Sequence, residues 1–221
     1  MPIEENLLQL GAQNALLRDC ASSTLETIAR RGSLCSCPAG AKVLGEGDTA
    51  AYAFLPLQGR FQVSKTAATG RRQVFCTMEP GFCGNLCMFF MTERSLADIH
   101  ATEPSRLVMI PVQEAIDLTL ADPVVGREAW SSLARCLGHL AGMVENLSFH
   151  KVSERVARDL LGVAEADGTT IRCTQAELAA QVGTTREVVA RCLAEFQESG
   201  AIRLGRGRIV VLSRDRLLPQ A

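Results

Sequence analysis

The run TQAELAAQVGTTREVVARCLAEFQES, beginning at Thr174, leaves few options for the last third of the chain. Leu178 and Val182 form one apolar stripe, and Val188, Val189, Leu193 and Phe196 form a second, with Gly183 between them. This spacing predicts two short amphipathic helices joined by a glycine turn, a helix-turn-helix. Thr174 suits the N-cap of the first helix, and Glu177, three residues on, completes a capping box. Thr184 or Thr185 suits the N-cap of the second. Arg186, Glu187 and Arg191 then lie near the start of the second helix, the end that enters the major groove in such motifs. Arginine grips guanine O6/N7 through two hydrogen bonds, and glutamate accepts from cytosine N4. SGAIRLGRGRIVVLS follows and reads as a two-stranded wing with Gly205 and Gly207 at its tip. Arg203, Arg206 and Arg208 there favour phosphate.

The charge distribution agrees. Residues 172–221 carry eight arginines against five acids, whereas residues 1–171 carry 15 Lys+Arg against 19 Asp+Glu. A basic tail beside an acidic body suits one domain facing phosphate. No apolar run reaches the roughly 18 residues that span a bilayer, and the acidic start MPIEENLLQL lacks a signal-like apolar region. The expectation is a cytoplasmic protein with no membrane partner. The chain contains no P-loop, GxSxG, HExxH or CxxC, and its three histidines are scattered; no enzyme class is indicated.

Upstream, the texture changes twice. Leu7, Leu8, Leu10, Leu16, Leu17, Leu25 and Ile28 suggest short helical pieces, with Ser22 or Ser23 as an N-cap. From Gly32 to Pro111, short β-forming runs alternate with glycine: KVL, YAFLPL, RFQVSK, RQVFCT and RLVMIP. Many short strands with Gly and Pro punctuation predict a sandwich or barrel. Phe61 and Val63 alternate with Arg60, Gln62 and Ser64, which predicts a strand with one wet face. Asp122-Pro123 then places an N-cap before a proline at the first helical position. Trp130, Leu133, Leu137, Leu140, Val144 and Leu147 follow at spacings of 3, 4, 3, 4 and 3. So regular a seam asks for a partner helix, and a symmetric dimer supplies one. Another amphipathic helix is expected from about Val152 to Ala166, broken at Asp167-Gly168, with TTIRCT as a short strand.

Nearly the whole chain resembles the cyclic-AMP receptor protein/FNR (CRP/FNR) family. The resemblance rests on the glycine-punctuated strands, PGFCGNL followed by Arg94-Ser95, the long helix ending ENLSF, and TTREVVAR. It implies an α+β protein in three parts: an effector-sensing β-roll (jelly-roll, cyclic-nucleotide-binding-like) over 1–121, a dimerisation helix and hinge over 122–149, and a winged helix-turn-helix over 150–221. It implies Thr174, Thr185, Arg186, Glu187, Arg191 and Arg206 as the DNA-binding set. The target is a palindromic duplex of TGTGA-like half-sites about one helical turn apart, with RNA polymerase as a further partner. Two departures speak against cyclic AMP. Asn85 stands where cyclic-nucleotide members carry a ribose-binding glutamate, and Leu140-Ala141 stands where they place a Thr-Ser pair. Arg94 and Ser95 retain the phosphate-binding positions. The iron-sulfur pattern is not matched either: the N-terminal cysteines are Cys20, Cys35 and Cys37, and the later-strand position is Met109.

Nine cysteines in a chain of this kind are expected as reduced thiols. Cys35 and Cys37 would point the same way on a strand, and Cys83 and Cys87 would share a face on a short helix. By the resemblance, Cys76, Cys83, Asn85, Cys87, Arg94, Ser95 and Cys136 lie around the effector site. Cys35, Cys37, Cys76, Cys83 and Cys87 are candidate ligands for a soft metal or metalloid, or redox-sensing thiols. Haem is the alternative, because Phe82-Cys83 and Pro2 resemble features of carbon-monoxide-sensing members. A different class, a cysteine-dependent metal-binding or redox protein, is the remaining option. Each cysteine also fits as a small buried hydrophobe, above all Cys173 and Cys192.

Overall fold

The computed structural model describes residues 18–80 and 94–217. The expected leucine-rich pieces at 7–17 and the positions Cys83, Asn85 and Cys87 lie outside these residues. The described chain forms two compact units: one of residues 1–65 and 75–140, the other of residues 66–74 and 141–221.

The first unit begins with helix α1 (Ser22–Arg31). Strands β1 (Ser33–Cys37), β2 (Lys42–Leu44), β3 (Tyr52–Gln58), β4 (Phe61–Thr66), β5 (Arg72–Met78), β6 (Asp98–Ala101) and β7 (Ser105–Pro111) follow. They make two sheets, of order β1-β7-β3 and β2-β6-β4-β5. β7 pairs antiparallel with both neighbours, placing Val108 opposite Leu34 and Leu55. In the second sheet Phe61 lies opposite Ala101 and Val63 opposite Ile99. The two-sheet expectation therefore holds.

The three-stranded sheet is buried on both faces. Its alternate residues Cys37, Phe54 and Leu107 join Phe61, Val63, Met78 and Ile99 in a core between the sheets. The other set, Ala53, Leu55, Leu57, Val108 and Ile110, packs with Ile28, Ala115 and Val125 of the covering helices. This is why YAFLPL reads as a continuous apolar run rather than an alternating one. The one-wet-face reading of β4 fails at Ser64, which is buried. β6, sequence DIHA, was too short and polar to be read as a strand.

Helix α2 (Val112–Ala121) continues directly from β7, and helix α3 (Pro123–Phe149) runs for 27 residues. Asp122 stands between them and is 95% buried, being only 5% exposed. Its Oδ1 accepts from the Val124 N–H at 2.9 Å. Its Oδ2 accepts from the Ala21 N–H at 2.9 Å and the Thr24 hydroxyl at 2.6 Å. One carboxylate thus caps the start of α3 and, from 101 positions away, that of α1. The expected N-cap serines Ser22 and Ser23 are inside α1; the N-cap position is Ala21, which has no side-chain oxygen to offer.

The second unit holds helix α4 (Val152–Val163), strand β8 (Thr170–Ile171), helices α5 (Gln175–Val182) and α6 (Arg186–Glu198), and strands β9 (Ile202–Gly205) and β10 (Arg208–Val211). α4 ends at Val163, three residues before the expected Ala166. The strands form a sheet of order β8-β10-β9. Val156, Leu160, Leu178, Val189, Leu193, Ile202 and Ile209 share one core. Cys192 belongs to that core and Cys173 packs against it, as small hydrophobes do. No described helix is long and apolar enough to cross a membrane.

The Thr24 hydroxyl first, then the Ala21 N–H, hold the Asp122 carboxyl below the usual carboxylate range, against the opposing effect of burial. A group depressed in the folded state stabilises above its unfolded value, roughly 3.9, and loses that contribution as pH falls through the folded value. Asp122→Ala is therefore expected to cost about 2 kcal/mol at pH 7. The gap to the parent should narrow below about pH 4, as urea titrations at both pH values would check.

Candidate functional site

Two places in the fold bring together residues singled out in the sequence. The first is the α5–turn–α6 element. Thr174 caps α5: its hydroxyl accepts from the Glu177 N–H at 3.2 Å, and the Glu177 carboxylate accepts from the Thr174 N–H at 2.6 Å. The reciprocal capping box is present as expected. Gly183 closes the helix at φ 70, ψ 46, the left-handed region that favours glycine. α6 begins after Thr185, which occupies the N-cap position in extended backbone but makes no side-chain capping bond. The Glu187 N–H first, and then the Thr185 hydroxyl, hold the Glu187 carboxyl below its ordinary range.

Val189, Cys192 and Leu193 bury one side of α6. Arg186, Glu187 and Arg191 are all exposed on the remaining surface, at the N-terminal half. Glu187 and Arg191 are four apart and therefore neighbours on one face. The wing follows. β9 and β10 pair Gly205 with Arg208 across a two-residue turn, with Gly207 at φ 65. Arg203, Arg206 and Arg208 are exposed on it. A flexible, always-charged guanidinium on a turn suits phosphate, while the α6 triplet offers two donors and one acceptor to base edges.

The second place is an open cleft of about 630 Å³ in the first unit. It is lined by Cys76, Thr77, Glu79 and Pro80 from the end of β5 onward, and by Glu128, Arg135, Cys136 and His139 of α3. Arg135 Nη2 donates to Glu128 Oε1 at 2.7 Å and to Ser132 Oγ at 2.8 Å, fixing one charged pair at the wall. Cys76 and Cys136, expected near an effector, do line one cavity. His139 is a possible axial ligand in the haem alternative, whereas nothing in the sequence marks Glu128 and Arg135. They sit on the polar flank of a helix whose leucine seam dominated the pattern.

Other expected residues lie elsewhere. Arg94 Nη1 donates to the Gly47 carbonyl at 2.9 Å, and the buried Ser95 hydroxyl donates to the Ala97 carbonyl at 2.6 Å. Neither is among the described residues lining the cleft. The Ser95 hydroxyl is turned into the protein. Of the five candidate metal ligands, Cys83 and Cys87 lie outside the described residues. Cys35 and Cys37 sit together on β1, with sulfurs 3.6 Å apart, and Cys76 sits in the cleft. Among the described residues, no group of three or more His, Cys, Asp or Glu side chains is placed to hold a metal ion.

The α3 seam is open in the single chain. Trp130 is 71% exposed, Leu137 59%, Leu140 37%, Val144 64% and Leu147 46%, while Leu133 is half-buried. An apolar row of this length left in water is unusual for a monomer.

Comparison with known proteins agrees with this geometry. Residues 154–219 match the model of the Crp-like helix-turn-helix domain, and residues 34–122 match that of the cyclic nucleotide-binding domain. A CRP-like cAMP-activated global transcriptional regulator of Mycobacterium tuberculosis is 29% identical over 194 residues, 83% of this chain and 86% of that protein. The cyclic AMP receptor protein of Thermus thermophilus is 29% identical over 176 residues, 79% of this chain and 81% of that protein. Among solved structures, a CRP/FNR-family transcriptional regulator of Thermus thermophilus superposes with a TM-score of 0.70 at 25% identity, covering 84% of this chain and 96% of that one. The c-di-GMP-responsive global regulator CLP of Xanthomonas campestris shares the fold, with a TM-score of 0.79 at 19% identity over 87% of this chain and all of that one.

Gly183→Ala forces a Cβ into the left-handed region and is expected to lower stability by about 1–2 kcal/mol. Thr174→Ala, which loses the capping box, should cost about 1 kcal/mol. Chemical denaturation of the two variants beside the parent measures both.

Proposed function

The chain belongs to the CRP/FNR family of transcription regulators, and from that premise we propose that it works as a homodimer that reads palindromic duplex DNA under the control of an effector bound at the α3 cleft. One observation carries the DNA reading: Arg186, Glu187 and Arg191 are exposed together at the leading half of α6, beside an arginine-bearing wing. In this reading the two arginines take guanines and Glu187 takes a cytosine, which suits TGTGA-like half-sites. Arg203, Arg206 and Arg208 hold the flanking phosphates. The second copy pairs through the seam from Trp130 to Leu147, which turns exposed apolar surface into a dimer core. Twofold symmetry then sets two α6 helices one turn of DNA apart. Such a regulator acts in the cytoplasm, where its target lies.

For the effector, the observation is that Cys76 and Cys136 line the same cleft, from a strand end and from α3. We take its chemistry to be that of thiols, met by a soft metal, a metalloid or an oxidant. Cyclic AMP is disfavoured by Asn85 and by the inward Ser95 hydroxyl. Effector binding at Cys136 would bias α3 and, through that continuous helix, the DNA-binding halves.

A gel-shift with a TGTGA-type palindrome tests the reading. Arg186→Ala and Arg191→Ala should each weaken specific binding by about 1–3 kcal/mol and relax specificity at one base pair. Arg206→Ala should weaken binding to all sequences alike and lower the salt slope by about 1. Leu137→Glu should give a monomer in sedimentation and abolish cooperative binding to the palindrome. Retardation that is equal for palindromic and scrambled duplexes, under every redox condition, would sink the assignment.

A further inference from the structure

A second thiol site lies outside the cleft. Cys35 and Cys37 are on β1, an edge strand, paired through β7 opposite Leu107 and Ser105. Two residues apart on a strand, they face the same side, and their sulfurs stand 3.6 Å apart. Cys37 is 6% exposed within the inter-sheet core, packed in the cluster of Phe54, Phe61 and Leu107. Cys35 is half-buried at its margin, which leaves a route in from solvent.

We propose that Cys35 and Cys37 form a two-thiol chelate for a trivalent metalloid oxyacid, of the arsenous or antimonous class, or its monosubstituted organic forms.

The spacing decides between three uses of such a pair. A disulfide needs sulfurs about 2.0 Å apart and Cα atoms within roughly 6.8 Å. Residues i and i+2 of an extended strand stand about 6.6–6.8 Å apart, at that limit. The pairing of β1 with β7 holds them there, so closing the bond would strain the ladder. A chelate needs no such closure. Sulfurs bound at about 2.3 Å to one tetrahedral ion sit about 3.8 Å apart, close to the spacing found. A dication such as zinc fits the spacing but not the site. It requires four ligands, and no described group supplies even three. It also requires thiolates, and a charged sulfur at the buried Cys37 would lie against the apolar cluster of Phe54, Phe61 and Leu107.

A metalloid oxyacid avoids both difficulties. Each thiol adds its sulfur to the metalloid as one metalloid–oxygen bond breaks, and the thiol proton leaves on that hydroxyl as water. Two thiols and two hydroxyls give two metalloid–sulfur bonds and two waters, with no change of oxidation state and no net charge. A neutral product is tolerated against an apolar core where an ion is not. The site stands independently of the DNA reading and of the cleft.

The test is a titration of the reduced full-length protein with phenylarsine oxide and with arsenite. Adducts are counted by intact mass and located by tandem mass spectrometry. Trypsin cuts after Arg31 and Lys42 release a peptide whose only cysteines are these two. The expected result is one arsenic bridging that peptide, with the loss of two waters from the hydrated reagent. Cys35→Ser and, separately, Cys37→Ala should each weaken that adduct by about 100-fold or more, as losing one arm of a two-point attachment does. Cys35 is half-buried, so its replacement tests the chelate even if Cys37→Ala fails to fold; Cys173→Ser should leave the adduct intact. The proposal is overturned if the peptide stays unmodified while arsenic binds elsewhere. It is also overturned if either single variant keeps the parent's affinity, or if mild peroxide closes a Cys35–Cys37 disulfide before any arsenical bridges the pair.

Discussion

Strand β7 sends alternate side chains into two different cores, and that division fixes where everything else in the first unit can go. Leu107 faces the second sheet; Val108 and Ile110 face the helices. β3 and β1 obey the same division, with Phe54 and Cys37 on one side and Leu55 and Leu34 on the other. A slip of one residue would exchange the two sets, putting small thiols against α1 and leucines against Phe61. Because the sheet needs cover on both faces, α1, α2 and the start of α3 have no freedom to lie elsewhere. Val125 is the point where α3 joins that cover. The departure of the long helix, and with it the cleft wall, follows from the packing of one central strand.

What could be read from the sequence tracks how local the determining interaction is. The capping box at Thr174 and Glu177 acts over three residues, and the left-handed turn is set by Gly183 alone, so both were legible. The wing was legible for the same reason, since its two strands are joined by a turn of two residues. The cap of α1 was not, because the donor groups and the carboxylate that satisfies them come from Ala21, Thr24 and Asp122. No window of sequence contains them together. β6 was missed because DIHA takes its stability from neighbours β2 and β4 rather than from its own pattern. α2 was missed because it follows β7 without a break and has Pro111 at its N-cap position, with no capping side chain. In the cleft, the thiols and His139 were anticipated individually, but Glu128 and Arg135 look like any solvated helix flank until β5 is placed beside them.

The cysteines illustrate how one side chain takes its chemistry from its surroundings. Cys192 is 8% exposed in the second unit's core, and burial raises its pKa, as it does for Cys173. A thiol of that kind stays protonated and behaves as a small hydrophobe. Cys37 is just as buried but has a second sulfur within 3.6 Å, the pairing on which the proposed chelate rests. Cys76 and Cys136 line an open cleft with charged neighbours, where a thiol is easier to reach. Counting cysteines could not separate these three cases; the strand register and helix phase do.

Helix phase also bears on how the cleft and the seam communicate. At 3.6 residues per turn, Trp130, Leu133, Leu137, Leu140, Val144 and Leu147 cluster around one direction of α3. Glu128, Arg135 and His139 point roughly 150° away from it on the same wheel. Cys136 falls between the two sets, on the border of the cleft face and the seam face. A group bonded to its sulfur therefore abuts the flank of the seam, next to Leu133 and Leu140, rather than the opposite side of the helix. On a rigid rod a small rotation is enough to move a side chain from the centre of a coiled-coil seam toward its edge. In the proposed dimer, an effector bonded at Cys136 would need no separate relay, because that residue already borders the exposed apolar seam of α3.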